Sequence, residues 1–504
     1  MPIATILWRG ALLGALAAAA LPPLTLVPLL LIAIPGLLRL IGQQRSWQRA
    51  GLAGLAFGIG YHAAGLYWIT DAILVMADRF WWAVPIAVPL LAGVLALFIA
   101  VPCAVVWLAP AGWPRVAALA GGWVLGDLAR QFAFSGFPWN LLGSTWEFPG
   151  LVGLAFMQPA AWVGVHGLTL ATLLLASYPT LGYRARLCGV ATLLLWGGAG
   201  ALRLEVPAGD VSPPGLMAVI VQGNVSEADH RDHGGERAWG DRVFDRYLAL
   251  TRQGIAQTGG RPALVVWPET ASPYALAQDA GARQAVADAS APALITLAGT
   301  ERFETASVAH NSLVAVAPGG VLAGIYDKSH LVPFGEYFPR YAHFLLGEQG
   351  FVPGPGLQTM HLPGLPAIGP LICYEAIFPG RVVQPNDRPG LLVNITNDAW
   401  FGDTAGPRQH LAAARMRSVE EGLPMLRAAN TGVSAIIDAH GRIVAQLALD
   451  RSGTLVAPVP GALRPTLAGR FRLVVPTLAA LSLLGTGLIS RRSSRVVQKN
   501  REQF

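Results

Sequence analysis

Three side chains able to move a proton or attack a carbonyl each stand where a short apolar run stops. Glu269 closes LVVWPET, Lys328 closes AGIYDK and Cys373 closes GPLICYE. A thiol becomes a useful nucleophile when a cation lowers its pKa or a base removes its proton. Lys328 is a candidate for the first task and Glu269 for the second. Cysteine suits acyl transfer, because a thioester yields to an amine more readily than an oxygen ester does. The oxyanion formed at the attacked carbonyl needs donors, and the backbone N–H of Tyr374 and the Lys328 ammonium are candidates. Singly, each position has an ordinary explanation: Cys373 as a small core hydrophobe, Glu269 and Lys328 as solvated loop charges.

Bringing the three together requires a scaffold that gathers strand ends, which is what a layered α/β fold does. Between 205 and 465, charges, His and Asn appear among short Val/Ile/Leu runs separated by Gly/Pro/Asp turns. LMAVIVQGNV, PALVVWPET, ALITLAGTER, HNSLVAVAP, VLAGIYDKSH, IGPLICYE, GLLVNITND and VSAIIDAHGRIVAQ are predicted as buried strands. GPRQHLAAARMRSVEEG is predicted as a helix. The sequence shows no repeat, heptad array or low-complexity tract.

The remainder of the chain is much more apolar. Of 504 residues, 53% are hydrophobic and 13% charged, against roughly 25% charged in soluble domains, and mean hydropathy is +0.48. A membrane protein is expected. Candidate spans run 4–21, 24–42, 51–76, 82–110, 114–132, 155–181 and 187–204, with an eighth at 472–490. The first is read as a span rather than a signal peptide, because a second apolar segment follows almost at once. The chain thus divides into a membrane domain at 1–204, an α/β domain at 205–465, and a last span with a basic tail at 466–504. Arg45, Arg49, Arg115, Arg184, Arg186, Arg491, Arg492, Arg495, Lys499 and Arg501 all fall on one side of eight spans. The positive-inside rule calls that side cytoplasmic, so the α/β domain faces outward. The net charge of +7 is thereby tied to membrane orientation, and nucleic acid is not an expected partner. Cys103 and Cys188 lie in apolar stretches, which leaves Cys373 as the thiol to explain.

VVWPET, KSHLVPFGEYFP, LICYE and NITNDAWFG, in that order, resemble the nitrilase (carbon–nitrogen hydrolase) superfamily. With seven spans before and one after, and with FSGFPWN in the membrane part, the chain is similar to the apolipoprotein N-acyltransferase family. That resemblance implies an α-β-β-α sandwich facing the periplasm from a bacterial inner membrane. It implies Glu269 as general base, Lys328 as oxyanion stabiliser and Cys373 as nucleophile, supported by Glu336, Tyr374 and Glu375. A second carboxylate beside Lys328 would hold its ammonium in place and protonated. The implied partners are a phospholipid acyl donor, phosphatidylethanolamine, and a diacylglyceryl-modified apolipoprotein acceptor. No cofactor or metal is implied.

Fainter signals remain. His230 and His233 form an H-x-x-H pair with no carboxylate or Cys at metal spacing, and are read as solvated loop. His330, two residues from Lys328, is read as a structural partner. The N-x-[ST] triplets at Asn224 and Asn394 are too short to carry weight. Trp400 is either a core aromatic or a pocket wall. Residues 338–351, with Phe344, Leu345 and Leu346, form either a buried loop or a lid dipping into the bilayer. Phe137, Pro138, Trp139, Trp146 and Phe148 mark a membrane interface or a floor beneath the site, with Trp139 a possible substrate contact. Two other classes compete: a membrane-anchored amidase using the same three residues on a soluble amide, and a transporter with an accessory domain. The ionisable residues within spans are few, Arg9, Asp71 and Asp127 among them, which argues against the transporter.

Overall fold

The computed structural model describes the chain apart from Met76, Ala228, 230–234, Ala306, 338–349 and 502–504, and gives backbone only for Arg79 and 491–501. His230, His233, Phe344, Leu345 and Leu346 lie outside the described residues. Contacts divide the chain into two units: Met1–Glu205 with Leu467–Phe504, and Val206–Thr466.

The first unit is helical. Its main helices are α1 (Ile3–Ala18), α2 (Leu30–Gly42), α3 (Trp47–Gly65), α4 (Val84–Val106), α5 (Trp113–Phe132), α6 (Ala160–Ser177), α7 (Tyr183–Arg203) and, after the second unit, α11 (Val474–Arg501). Small residues bring α1 and α3 close together: a Cβ at Gly14 would meet Phe57 O at 1.9 Å, and one at Gly60 would meet Ala11 O at 2.0 Å. Close backbone approach replaces hydrophobic driving force where the surroundings are themselves apolar. Among the described residues, three helical stretches, Trp81–Val106, Ala160–Thr180 and Tyr183–Arg203, are long and apolar enough to cross a membrane; Ile3–Ala18, Val27–Gly42 and Val474–Ser490 are shorter apolar helices.

The expected spans differ from these helices in identifiable ways. The candidate at 51–76 stops at Gly65 and resumes only as a short helix, Ile69–Leu74. The candidate at 155–181 begins inside a separate helix, Gly150–Met157, and α6 is itself broken at Gly164, which has φ 67° and ψ 172°. Helix α2 has 13 residues, about 20 Å at 1.5 Å per residue, short of a hydrocarbon core of about 30 Å. Helix α5 buries a polar pair, Arg130 to Asp127 at 2.7 Å. Arg130 also donates to the carbonyls of Phe137 at 3.0 Å and Trp139 at 2.5 Å, anchoring the FSGFPWN segment.

The second unit is an α-β-β-α sandwich. Strands β1 (Met217–Gln222), β2 (Ala263–Val266), β3 (Ile295–Thr305), β4 (Val308–Ala317), β5 (Val321–Asp327) and β11 (Gly453–Pro458) form one sheet, in the order β11-β1-β2-β3-β4-β5. Strands β6 (Ile368–Ile372), β7 (Leu391–Thr396), β8 (Met425–Ala429), β9 (Ser434–Ile437) and β10 (Ile443–Leu447) form the other, in the order β10-β9-β8-β7-β6. The two-residue period of a strand sorts its side chains between layers. From β1, Ala218 and Ile220 enter the core shared by the two sheets, with Leu264, Leu297, Leu313, Ile372, Val393 and Leu426. Met217, Val219 and Val221 turn outward onto α8 (Arg237–Ala256) and α9 (Ala280–Ser290). The outer face of the second sheet, through Leu371, Leu392 and Met425, packs with Ala414 of α10 (Ala405–Glu421). Burial on both faces explains why these strands read as continuous apolar runs.

Candidate active site

The strand directions bring the polar residues to one edge. β1, β2 and β3 are parallel, as are β6, β7 and β8. β5 is antiparallel to β4, itself antiparallel to β3, so β2 and β5 end on the same side of their sheet. Lys328 follows β5 directly and Cys373 follows β6, while Glu269 stands three positions past Val266. Gly299 of β3 lets the Glu269 turn lie against the strand, since a Cβ there would stand 2.2 Å from Pro268 O and 2.6 Å from Glu269 Cα.

At the centre is one ammonium between two carboxylates. Lys328 Nζ donates to Glu269 Oε1 at 2.9 Å and to Glu336 Oε1 at 2.7 Å. Asn311 Nδ2, from β4, donates to the same two oxygens at 2.7 and 2.8 Å. Glu269 Oε2 accepts from the backbone N–H of Asn397 at 2.8 Å, which ties the end of β7 to the turn after β2. Glu336 Oε2 accepts from Val332 N–H at 2.7 Å within a tight turn containing Phe334 at φ 65°. Burial by itself would push the Lys328 ammonium down, but Glu269, Glu336 and Cys373 outweigh it and hold the group well above the ordinary lysine value. Lys328 is therefore a fixed positive charge, 1% exposed.

Cys373 opens a short helical turn, Cys373–Ile377, and has φ 50°. A side chain with a Cβ is held in the left-handed region only when its surroundings over-determine it, and such residues cluster at functional sites. The residue as a whole is half-buried. Burial pushes its pKa up, the charges of Glu269 and Asp398 add to that, and the Lys328 ammonium with a Thr396 hydrogen bond pulls it back only in part. The resting group is the neutral thiol, so a base must take its proton as it attacks.

Glu375 does a different job from Glu336. Its Oε1 accepts from Ser329 N–H and Ser329 Oγ, both at 2.7 Å, from Tyr326 O–H at 2.8 Å and from His330 N–H at 3.1 Å; Oε2 accepts from Ile372 N–H at 2.7 Å. It does not hold the Lys328 ammonium but clamps the backbone after Lys328 to the backbone before Cys373. Burial pushes its carboxyl up, and the hydrogen bonds from Ile372, Ser329 and Tyr326 oppose that. Tyr374 is buried and packs edge-on against Phe378, centroids 5.2 Å apart, and the His330 ring lies 4.1 Å from Phe378 and 5.7 Å from Tyr374. His330 is thus set among aromatic rings. Trp400 is half-buried in a turn, Ala399–Phe401, just past Asp398. Trp139 is buried in the helical unit, its ring 5.0 Å from that of Trp68 and stacked on Phe137.

Several contributors escaped the sequence reading. Asn311 was visible only as part of His310-Asn311-Ser312, a polar triplet in an otherwise apolar strand. A second buried polar group lies beside the nucleophile: His410 Nδ1 meets Asp398 Oδ1 at 2.8 Å, His410 Nε2 meets Cys373 O at 3.1 Å, and Arg427 Nη2 meets Asp398 Oδ2 at 2.8 Å. Among the described residues, no group of three or more His, Cys, Asp or Glu side chains is placed to hold a metal ion.

Comparison with known proteins fits both units. Residues 13–178 match the family model described as the apolipoprotein N-acyltransferase N-terminal domain, and 244–466 match that of the carbon-nitrogen hydrolases. The apolipoprotein N-acyltransferase of Bradyrhizobium diazoefficiens is 38% identical, covering 95% of this chain and 94% of that protein. That of Sinorhizobium medicae is 36% identical with the same coverage. Among solved structures, a carbon-nitrogen hydrolase from Helicobacter pylori G27 is 16% identical, covering 48% of this chain and 88% of that one, with a TM-score of 0.39. Similarity at this level along nearly the full length of both chains means that the protein belongs to the apolipoprotein N-acyltransferase family.

Proposed function

We propose that this N-acyltransferase works by a two-step ping-pong reaction on Cys373, with Glu269 as general base and acid and Lys328 as the oxyanion partner. Cys373 Sγ attacks the ester carbonyl of a phospholipid while its proton passes to the Glu269 carboxylate. The carbonyl oxygen takes up negative charge beside the Lys328 ammonium, which Glu269 and Glu336 hold in place while Asn311 donates to both carboxylates. The C–O bond breaks, Glu269 returns the proton to the departing alkoxide, and a lysophospholipid leaves a thioester on Cys373. The α-amino group of a diacylglyceryl-modified N-terminal cysteine then attacks the thioester and gives its proton to Glu269. The C–S bond breaks, and the proton passes to the Cys373 sulfur as the amide forms.

The observation that carries this reading is the buried Lys328 ammonium held between the carboxylates of Glu269 and Glu336, at the strand ends that also carry Cys373. That arrangement calls for proton transfer concerted with attack. The acyl donor is a phospholipid, phosphatidylethanolamine in our reading, and the acceptor is an apolipoprotein. Eight spans hold the chain in a bacterial inner membrane with the sandwich on the periplasmic side, supported by the eight apolar stretches and the one-sided basic loops. Confining donor and acceptor to one bilayer raises their effective concentration.

The test is a single-turnover chase. Acyl-enzyme made with phosphatidylethanolamine and freed of lipid is mixed with a diacylglyceryl-cysteinyl peptide. One N-acyl peptide per thioester consumed supports the reading. Release of free fatty acid in its place, with turnover of a soluble amide in the absence of lipid, would instead identify a membrane-anchored amidase.

A further inference from the structure

The buried group behind Cys373 is tied together by hydrogen bonds. Asp398 accepts from Arg427 Nη2 at 2.8 Å on one oxygen and meets His410 Nδ1 at 2.8 Å on the other. His410, Arg427 and a Thr396 hydrogen bond hold its carboxyl below the usual value against the effect of burial. His410 Nε2 faces the carbonyl oxygen of Cys373 at 3.1 Å, and a carbonyl can only accept, so Nε2 is the donor there. His410, Asp398 and Arg427 are 1% exposed or less, and Arg427 Nη1 finds a further partner in the side-chain oxygen of Asn394. The charges that reach the Cys373 thiol are Glu269 and Asp398, which push it up, and Lys328, which pulls it back.

We propose that His410 is a positioning residue for the nucleophile: braced by Asp398, it donates through Nε2 to the Cys373 carbonyl and so holds the left-handed turn that presents the thiol. This rests on Cys373 being the nucleophile. The bond to the carbonyl constrains the residue at φ 50°, where the chain would otherwise relax toward an ordinary conformation.

Two amide substitutions in the full-length protein separate the donors. In His410→Gln the amide nitrogen reaches the place of Nε2 and can still donate to the Cys373 carbonyl. In His410→Asn it reaches only the place of Nδ1, keeping Asp398 but losing the carbonyl. Acyl-enzyme formation with phosphatidylethanolamine micelles is followed by intact mass, with melting temperature alongside. Acylation in His410→Gln should stay within about threefold of the parent. His410→Asn should fall about 10- to 100-fold, the scale of a misplaced reacting group, with the two variants melting alike. Equal losses in both, no loss in either, or a better Asn than Gln variant overturns the proposal. Should His410→Asn fail to fold, His410→Ala replaces it: acylation about 10- to 100-fold below that of His410→Gln is expected, and equal acylation in the two overturns the proposal. If the parent itself forms no acyl-enzyme on Cys373, the nucleophile assignment fails first, and iodoacetamide labelling of the Cys373 peptide, slower in His410→Asn than in His410→Gln, still reads the positioning separately.

Discussion

Replacing Glu336 with Gln tests how the site keeps its cation in place. Glu336 Oε1 accepts from Lys328 Nζ at 2.7 Å and Asn311 Nδ2 at 2.8 Å, and Oε2 accepts from Val332 N–H at 2.7 Å. A glutamine has one acceptor and one donor for those three donors. With its oxygen toward Lys328, its NH2 group faces the Val332 N–H; turned the other way, it faces an ammonium. The first arrangement is the cheaper, and it leaves a largely buried donor unsatisfied, which costs about 1–3 kcal/mol. Lys328 also keeps one carboxylate where it had two. In the proposed mechanism Glu336 never takes the thiol's proton, so the damage travels through Lys328. If the whole cost is felt in the transition state, acyl-enzyme formation slows about 5- to 150-fold. The companion Glu269→Gln removes the proton acceptor as well, for a loss of about 10²- to 10⁴-fold. The assay is the time course of acyl-enzyme by intact mass, with melting temperature as a control. Parent-like acylation by Glu336→Gln, or a loss as deep as that of Glu269→Gln, refutes the division of labour.

Two further outcomes follow from geometry and charge. Gly299→Ala drives a Cβ to 2.2 Å from Pro268 O; it should lower stability by roughly 1–3 kcal/mol and reduce acylation through Glu269, and full activity at an unchanged melting temperature would contradict the close approach. The Cys373 thiol is raised by burial and by Glu269, so the protonated form persists through neutral pH. Its alkylation rate should keep climbing above the ordinary thiol value of about 8.5, and a plateau already reached at pH 7 would contradict a neutral resting thiol.

How far the sequence could be read depended on where each signal was stored. Strands β1, β2, β6 and β7, with most of β3 and β4, are buried on both faces, so local composition alone marks them. Strand β8 (Met425–Ala429) went unread because Arg427 stands in it, 0% exposed. A buried arginine makes sense only once Asp398 and Asn394, some 30 positions earlier, are known to lie beside it. β11 is an edge strand of intermediate burial with little apolar contrast, and β9 with β10 read as one run because a turn at Gly441 divides them. The helical unit was legible as apolar, but where a helix breaks at Gly164 or stops at Gly65 is set by packing, which local hydropathy does not record. At the site, Glu269, Lys328 and Glu336 stood out through their flanking motifs. The role of Glu375 as a backbone clamp did not, since its five donors come from 326–330 and 372. Asn311 and His410 act through partners brought near only by folding, and nothing in their own neighbourhoods distinguishes them from ordinary strand and helix residues.

The central claim is that the sulfur of Cys373 carries the acyl chain. The most direct measurement is intact-mass analysis of the purified full-length protein after incubation with phosphatidylethanolamine. The account predicts a gain of one acyl chain, removed by hydroxylamine and absent in Cys373→Ala. An equal gain in Cys373→Ala, or no gain in a folded parent that still transfers acyl chains to a lipopeptide, would contradict it.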